Sequence, residues 1–178
     1  MFPGSFPSEG RDVGLVGTAN TGITAEEYGS GPYHVTKLTV DTAMPAIAGG
    51  AALAVGKLLY TLPAGNILIL AAHMALTLQE DDGNITADTP DGGLGTVIGS
   101  GAVSVLDGTG TFEDILTGQT FNDCDGTEEV AMVQTSLTIL STAAKTVHFN
   151  LADTWASSGE DDLALTGTVL LVWIHLGA

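Results

Sequence analysis

Two acidic stretches hold the densest chemistry in the chain. Glu80-Asp81-Asp82-Gly83-Asn84, followed by Asp88 and Asp91, sets hard oxygen donors close together, and Asp123, Asp125, Glu128 and Glu129 form a second set in which Gly126 permits a sharp turn. Such donors suit calcium, but neither stretch has the twelve-residue pattern that wraps an EF-hand around its ion. Acidic loops are far more often solvated than metal-bound, so both are expected to be charged surface without a resident ion. Paired carboxylates would also serve glycoside hydrolysis, which needs a sugar platform, usually aromatic. The two tryptophans are Trp155 and Trp173, and Trp173 lies in an apolar run.

Other candidate groups are more dispersed. Gly93-Leu94-Gly95-Thr96-Val97-Ile98-Gly99 has a dinucleotide look, yet its spacing is GxGxxxG, an acidic loop precedes it and no helical pattern follows, so the glycines read as hairpin glycines. His34, His73, His148 and His175 show no HxH or HExxH spacing, and Cys124 has no second cysteine, so neither a metal centre nor an intrachain disulfide is expected. Ser100 stands in Gly-Ser-Gly, without the strand-to-helix elbow of a nucleophilic serine. Asn84-Ile85-Thr86 is a formal glycosylation sequon, but the start Met-Phe-Pro-Gly-Ser has neither the basic nor the apolar region of a signal peptide. These patterns assign no catalytic, cofactor-binding or metal-binding residue, and the chain is expected not to be an enzyme.

The charge balance excludes whole partner classes. Twenty-one Asp and Glu face four Lys and Arg, a formal charge of −17, in a chain that is 44% hydrophobic. Arg11, Lys37, Lys57 and Lys145 are each isolated, so no basic patch can release counterions from nucleic acid or be drawn to an anionic membrane.

The elements that would position these groups are strands. Twenty-four glycines, frequent Thr and Val, and few long helix formers point to an all-β chain. Val35–Val40, Val55–Leu62, Ile67–Gln79, Val133–Ile139, Val147–Leu151 and Thr168–Leu176 read as strands, and Thr96–Ile98 with Ala102–Leu106 as a short hairpin. The even positions of Ile67–Gln79 are all apolar, which predicts one face in the core throughout. Val147, Phe149 and Leu151 alternate with His148 and Asn150, predicting a half-buried strand, while the unbroken apolar run 168–176 predicts cover on both faces. Phe112–Leu116 is the one helical candidate. About eight strands separated by turn signals imply a single β-sandwich or jelly-roll-like domain at 33–178. Residues 1–32, with Pro3, Pro7, Pro32 and no period, read as an extended N-terminal arm that Phe2, Phe6, Leu15, Val16 and Tyr28 would anchor.

Four stretches carry a family resemblance. They are Lys57-Leu58-Leu59-Tyr60-Thr61-Leu62-Pro63-Ala64-Gly65, Ala87-Asp88-Thr89-Pro90-Asp91, Ile115-Leu116-Thr117-Gly118-Gln119-Thr120 and Val147-His148-Phe149-Asn150-Leu151-Ala152-Asp153-Thr154-Trp155-Ala156. Through them the region from Val35 to Leu176 resembles small virion structural proteins of tailed bacteriophages, marine ones especially. The resemblance implies a capsid decoration (cement) protein on the virion surface, with the major capsid protein as partner. It also implies a homo-oligomer, for which a closed trimer would suit a threefold capsid site. It transfers no site residue, does not separate capsid from head-fibre or tail placement, and leaves 1–32 outside. Two other classes stand beside it: a host-surface or carbohydrate-binding module contacting its ligand through Trp155 and the acidic loops, and a hydrolase with paired carboxylates.

Overall fold

The computed structural model describes residues 16–108, 110–139, 144–159 and 163–177. The strands are β1 (Thr18–Ala19), β2 (Ile23–Ser30), β3 (Tyr33–Ala43), β4 (Ala54–Leu62), β5 (Asn66–Gln79), β6 (Asp91–Gly95), β7 (Leu116–Thr120), β8 (Asp125–Ile139), β9 (Lys145–Ala152) and β10 (Ala164–Gly177). They form two antiparallel five-stranded sheets packed as a sandwich. One has the order β1-β4-β9-β6-β7 and the other β2-β3-β10-β5-β8.

The core lies between the sheets. From β10 it receives Leu165, Val169, Leu171 and Trp173, from β3 Leu38 and Val40, and from the opposing sheet Tyr60, Leu62, Phe149 and Leu151, all buried. Phe121 meets Phe149 edge-on, with centroids 6.0 Å apart and planes at 72°, an arrangement the aromatic quadrupole favours.

Several expectations are corrected. The sandwich does not begin at residue 33: β1 pairs with the edge of one sheet and β2 with the edge of the other. Gly22, at φ 79°, turns the chain between them, and a side chain there would strike the Asp41 carbonyl and Thr42. The arm reading therefore fails for 18–30, and 1–15 lies outside the described residues.

In β5 the core face is not constant. Ile67 and Ile69 point inward, a register shift falls at Leu70, and Ala72, Met74, Leu76 and Leu78 then take over. A β-bulge adds one residue and so switches the parity of every later side chain. Leu68 and Leu70 are left on the outer side, half-buried.

β9 is buried on both faces rather than one. Val147, Phe149 and Leu151 enter the core, whereas His148 and Asn150 lie under the segment 96–115, which crosses the outside of that sheet. The described residues of that segment form neither the hairpin at 96–106 nor the helix at 112–116; they are turns, bends and stretches without regular structure, and Leu116 opens β7. Finally, the second acidic stretch is only partly loop, since Asp125–Glu129 opens β8.

Candidate functional site

The topology brings the two acidic stretches together at one end of the sandwich. The Glu80 amide donates to the Cys124 carbonyl (2.8 Å), and the Cys124 amide donates to the Thr86 carbonyl (2.9 Å). Around them the carboxylates are engaged with the chain itself. Glu80 accepts from the amides of Gly83 and Asn84, both at 3.0 Å, and Asp88 accepts from the Ala156 amide at 2.7 Å. Asp123 accepts from the Thr127 hydroxyl at 3.0 Å. A hydrogen bond with Glu80 raises the pKa of Asp82, and one with Asp123 raises that of Asp125. Among the described residues no three His, Cys, Asp or Glu side chains converge as metal ligands.

Cys124 sits beneath this end. Burial, and then the negative charges of Asp88, Asp153, Asp123 and Glu80, push its thiol up to about 12. A thiolate is the reactive form, so this sulfur is held inert at neutral pH.

The glycine segment also serves architecture. A β-carbon on Gly95 would lie 2.2 Å from the Phe112 carbonyl carbon, and one on Gly93 would lie 2.9 Å from the Leu116 carbonyl oxygen. The glycines let 111–118 press against β6. The Thr96 amide, where a phosphate would be sought, instead donates to Asp114 Oδ1 at 2.8 Å, and the Thr96 hydroxyl donates to Oδ2 at 2.6 Å. A carboxylate already fills the anion position. Asn150, fully buried, completes the bracing: it accepts from the Gly99 amide (2.7 Å) and donates to the carbonyls of Val97 (3.0 Å) and Phe112 (2.6 Å). Ser100 is exposed in the loop that follows.

The aromatic platform is not offered to solvent. Trp155 is buried, and its indole N–H donates to the Leu53 carbonyl at 2.7 Å. Trp173 is fully buried and donates to Thr36 Oγ1 at 2.8 Å.

Trp173 belongs to a polar network that sequence reasoning missed. The Thr36 hydroxyl donates to the Glu27 carboxylate at 2.9 Å, Tyr60 donates its phenol hydrogen to Glu27 Oε1, and the Gly17 amide donates to the Tyr60 oxygen at 2.7 Å. The chain of contacts links β1's approach, β2, β3, β4 and β10 along the side where the edges of the two sheets meet. Burial, then the hydrogen bond to Glu27, raises the Tyr60 pKa. The available signal was the period-two phase Ile23, Ala25, Glu27, in which a carboxylate takes an inward position.

The histidines do not converge on one another's sites. His148 is buried with Nε2 2.9 Å from Thr146 Oγ1, His73 is half-buried on the outer side of β5, and His175 lies 3.1 Å from the Ala64 carbonyl. His34 is buried beside Trp173 and neither ring nitrogen has a hydrogen-bond partner. Burial lowers its pKa, the charge of Glu27 opposes this, and His175 adds to the lowering.

Comparison with protein-family models, with curated proteins and with solved structures finds no match. The geometry therefore stands alone: two abutting acidic stretches at one end, a buried polar seam along one side, and polar side chains committed to holding loops.

Proposed function

We propose that the chain is a non-enzymatic virion structural protein of a tailed phage, a capsid decoration (cement) protein that binds the major capsid protein as a homo-oligomer on the capsid surface. The sequence stretches quoted above support this reading, and so does the topology. With β1 and β2 set aside, the strand orders are β3-β10-β5-β8 and β4-β9-β6-β7. Successive strands change sheets except at the β6–β7 hairpin, which is the jelly-roll path. Jelly rolls recur in viral capsid and lectin domains, so the path alone does not choose between them.

The observation that carries the structural reading is the use made of the polar side chains. Asp88, Asp114 and Asn150 each accept a backbone amide hydrogen from a loop, and Glu113, itself in a loop, accepts one from Gly118 of β7. Side chains spent in this way make a stiff block with fixed surfaces. Such a block can bridge neighbouring capsomers, so that pressure from packaged DNA has to break added interfaces. The charge of −17 keeps unattached copies apart. Copy number and position in purified particles test the reading: copies distributed over the head at every equivalent site support it, whereas a few copies at one vertex, or none in the particle, reject it.

A host-surface or carbohydrate-binding head-fibre or tail module is the second reading, favoured by the gathering of both acidic stretches at one loop end. It requires that calcium or a glycan raise the melting temperature, since a ligand of the folded state stabilises by mass action.

A further inference from the structure

The two sheets differ in what lies outside them. The sheet containing β9 is covered by 96–115, which buries Leu106 against Ala54 and Ala152, with Phe112 packed alongside. No described segment covers the outer face of the sheet β2-β3-β10-β5-β8. An antiparallel sheet with one solvated side normally presents polar residues there; this one does so at Thr24, Thr39, Asp41, Thr168 and Glu128, but not throughout. One row across the strands reads Tyr28, Val35, Val172, Ala71, and the next reads Ser30, Tyr33, Ile174, Leu68. Tyr33 is 62% exposed, and Met132, on the β8 side, 74%. The bulge at Leu70 enlarges the patch by placing Leu68 and Leu70 outside. From Leu170 to Ile174 β10 is thus apolar on both faces, and only its inner face is covered.

We infer that a second copy of this chain covers this face, so that the homo-oligomer of the preceding reading is built sheet against sheet through it. Charge selects the occupant. The acid of the molecule gathers at the loop end, where Asp41 and Glu128 also lie on this sheet, while across Tyr33–Thr39 and its partners the charges among the described residues are Glu26 of β2 and Lys37 of β3, Oε2 3.1 Å from Nζ. A partner chosen to complement a charge of −17 would be basic and would be drawn to the acidic end. This neutral part of the face lets two acidic chains meet where they repel least. The size also fits. Five strands at ~4.8 Å spacing and the seven residues Tyr33–Thr39 at ~3.4 Å give a flat footprint of roughly 600 Å². Side-chain relief brings this towards the about 800 Å² per partner of a standard interface.

Sedimentation equilibrium on the full chain tests the inference. The wild type should have a mass that is a multiple of 18.1 kDa, and the double variant Met132→Glu, Val172→Glu should sediment as a monomer with its β-sheet circular dichroism retained. Val105→Glu, on the segment covering the opposite sheet, should leave the wild-type mass unchanged. A monomeric wild type at every soluble concentration overturns the inference, as does an oligomer that survives the double variant or one that Val105→Glu dissociates. Should the double variant fail to fold, peroxide oxidation of wild-type Met132 decides: the rate should fall as concentration rises, and a rate independent of concentration refutes the interface. None of these outcomes alters where the protein sits in a virion, which copy counting measures separately.

Discussion

The imidazole of His34 lies flat against the indole of Trp173, with ring centroids 3.9 Å apart and planes 7° from parallel. The two are direct cross-strand partners on β3 and β10. The indole has an acceptor in Thr36, whereas both imidazole nitrogens are buried without one. The ring acts as an aromatic plate, and a proton added to it would bring an unsolvated charge into the core.

That arrangement sets a pH dependence. The folded-state pKa of His34 lies below the ordinary histidine value of about 6.5, chiefly through burial. Above that pH neither state binds the proton. As pH falls through it, the unfolded chain is protonated first, and stability declines until the folded-state pKa is passed. His148, lowered by burial as well, acts in the same sense. Melting temperature should fall from neutral to mildly acidic pH, and more gently in His34→Phe, which keeps the stack and loses no hydrogen bond. Equal slopes in the two proteins would show that His34 is not the group responsible.

Tyr60→Phe should destabilise the fold by about 2 kcal/mol, because it removes a donor from Glu27 and leaves the Gly17 amide without its acceptor. Amide exchange at β1 should accelerate more than exchange at β9. Urea unfolding gives the first quantity and exchange the second; a uniform change in exchange across both strands would contradict a seam at the β1–β2 side.

Asn150→Ala removes three hydrogen bonds to 96–115, and at ~1 kcal/mol each the loss should be on the order of 3 kcal/mol. The covering segment should then become the first site of limited proteolysis. Cleavage that begins elsewhere in both proteins would mean that Asn150 does not hold it.

Cys124 should resist thiol reagents at neutral pH and react fully once denaturant unfolds the chain. A rapid reaction in the native protein would place the sulfur in a more open site than the one described.

Much of the architecture is legible in the sequence where one side chain in two is apolar. β4 appears close to its observed bounds for that reason, while β10 shows as an unbroken apolar run that misses its first four residues, 164–167. β2 is not legible: Ile23–Ser30 is an edge strand whose inward Glu27 takes its place by hydrogen bonding, so its apolar alternation breaks off. β5 shows the converse, because Leu68 and Leu70 continue an even-numbered apolar run across a bulge that no local pattern marks. His148 and Asn150 have the polarity of a solvated face, yet a distant segment crosses them, and only the tertiary fold brings Val97, Gly99 and Phe112 to Asn150. Of the polar sites, the two acidic stretches are evident in the sequence. Their abutment through Cys124 is not, since it depends on β5 and β8 being neighbours.

β10 follows the other described strands in sequence but occupies the middle of its sheet, where Val169 lies between Leu38 of β3 and Met74 of β5. During synthesis the ribosome delivers this strand after both β3 and β5. Until it arrives, β3 and β5 have no common neighbour, and each presents an open edge that any similar strand nearby could pair with. The order of translation therefore makes the nascent chain most prone to mispairing just before β10 emerges, and closing the gap between strands so far apart in sequence sets a slow folding rate.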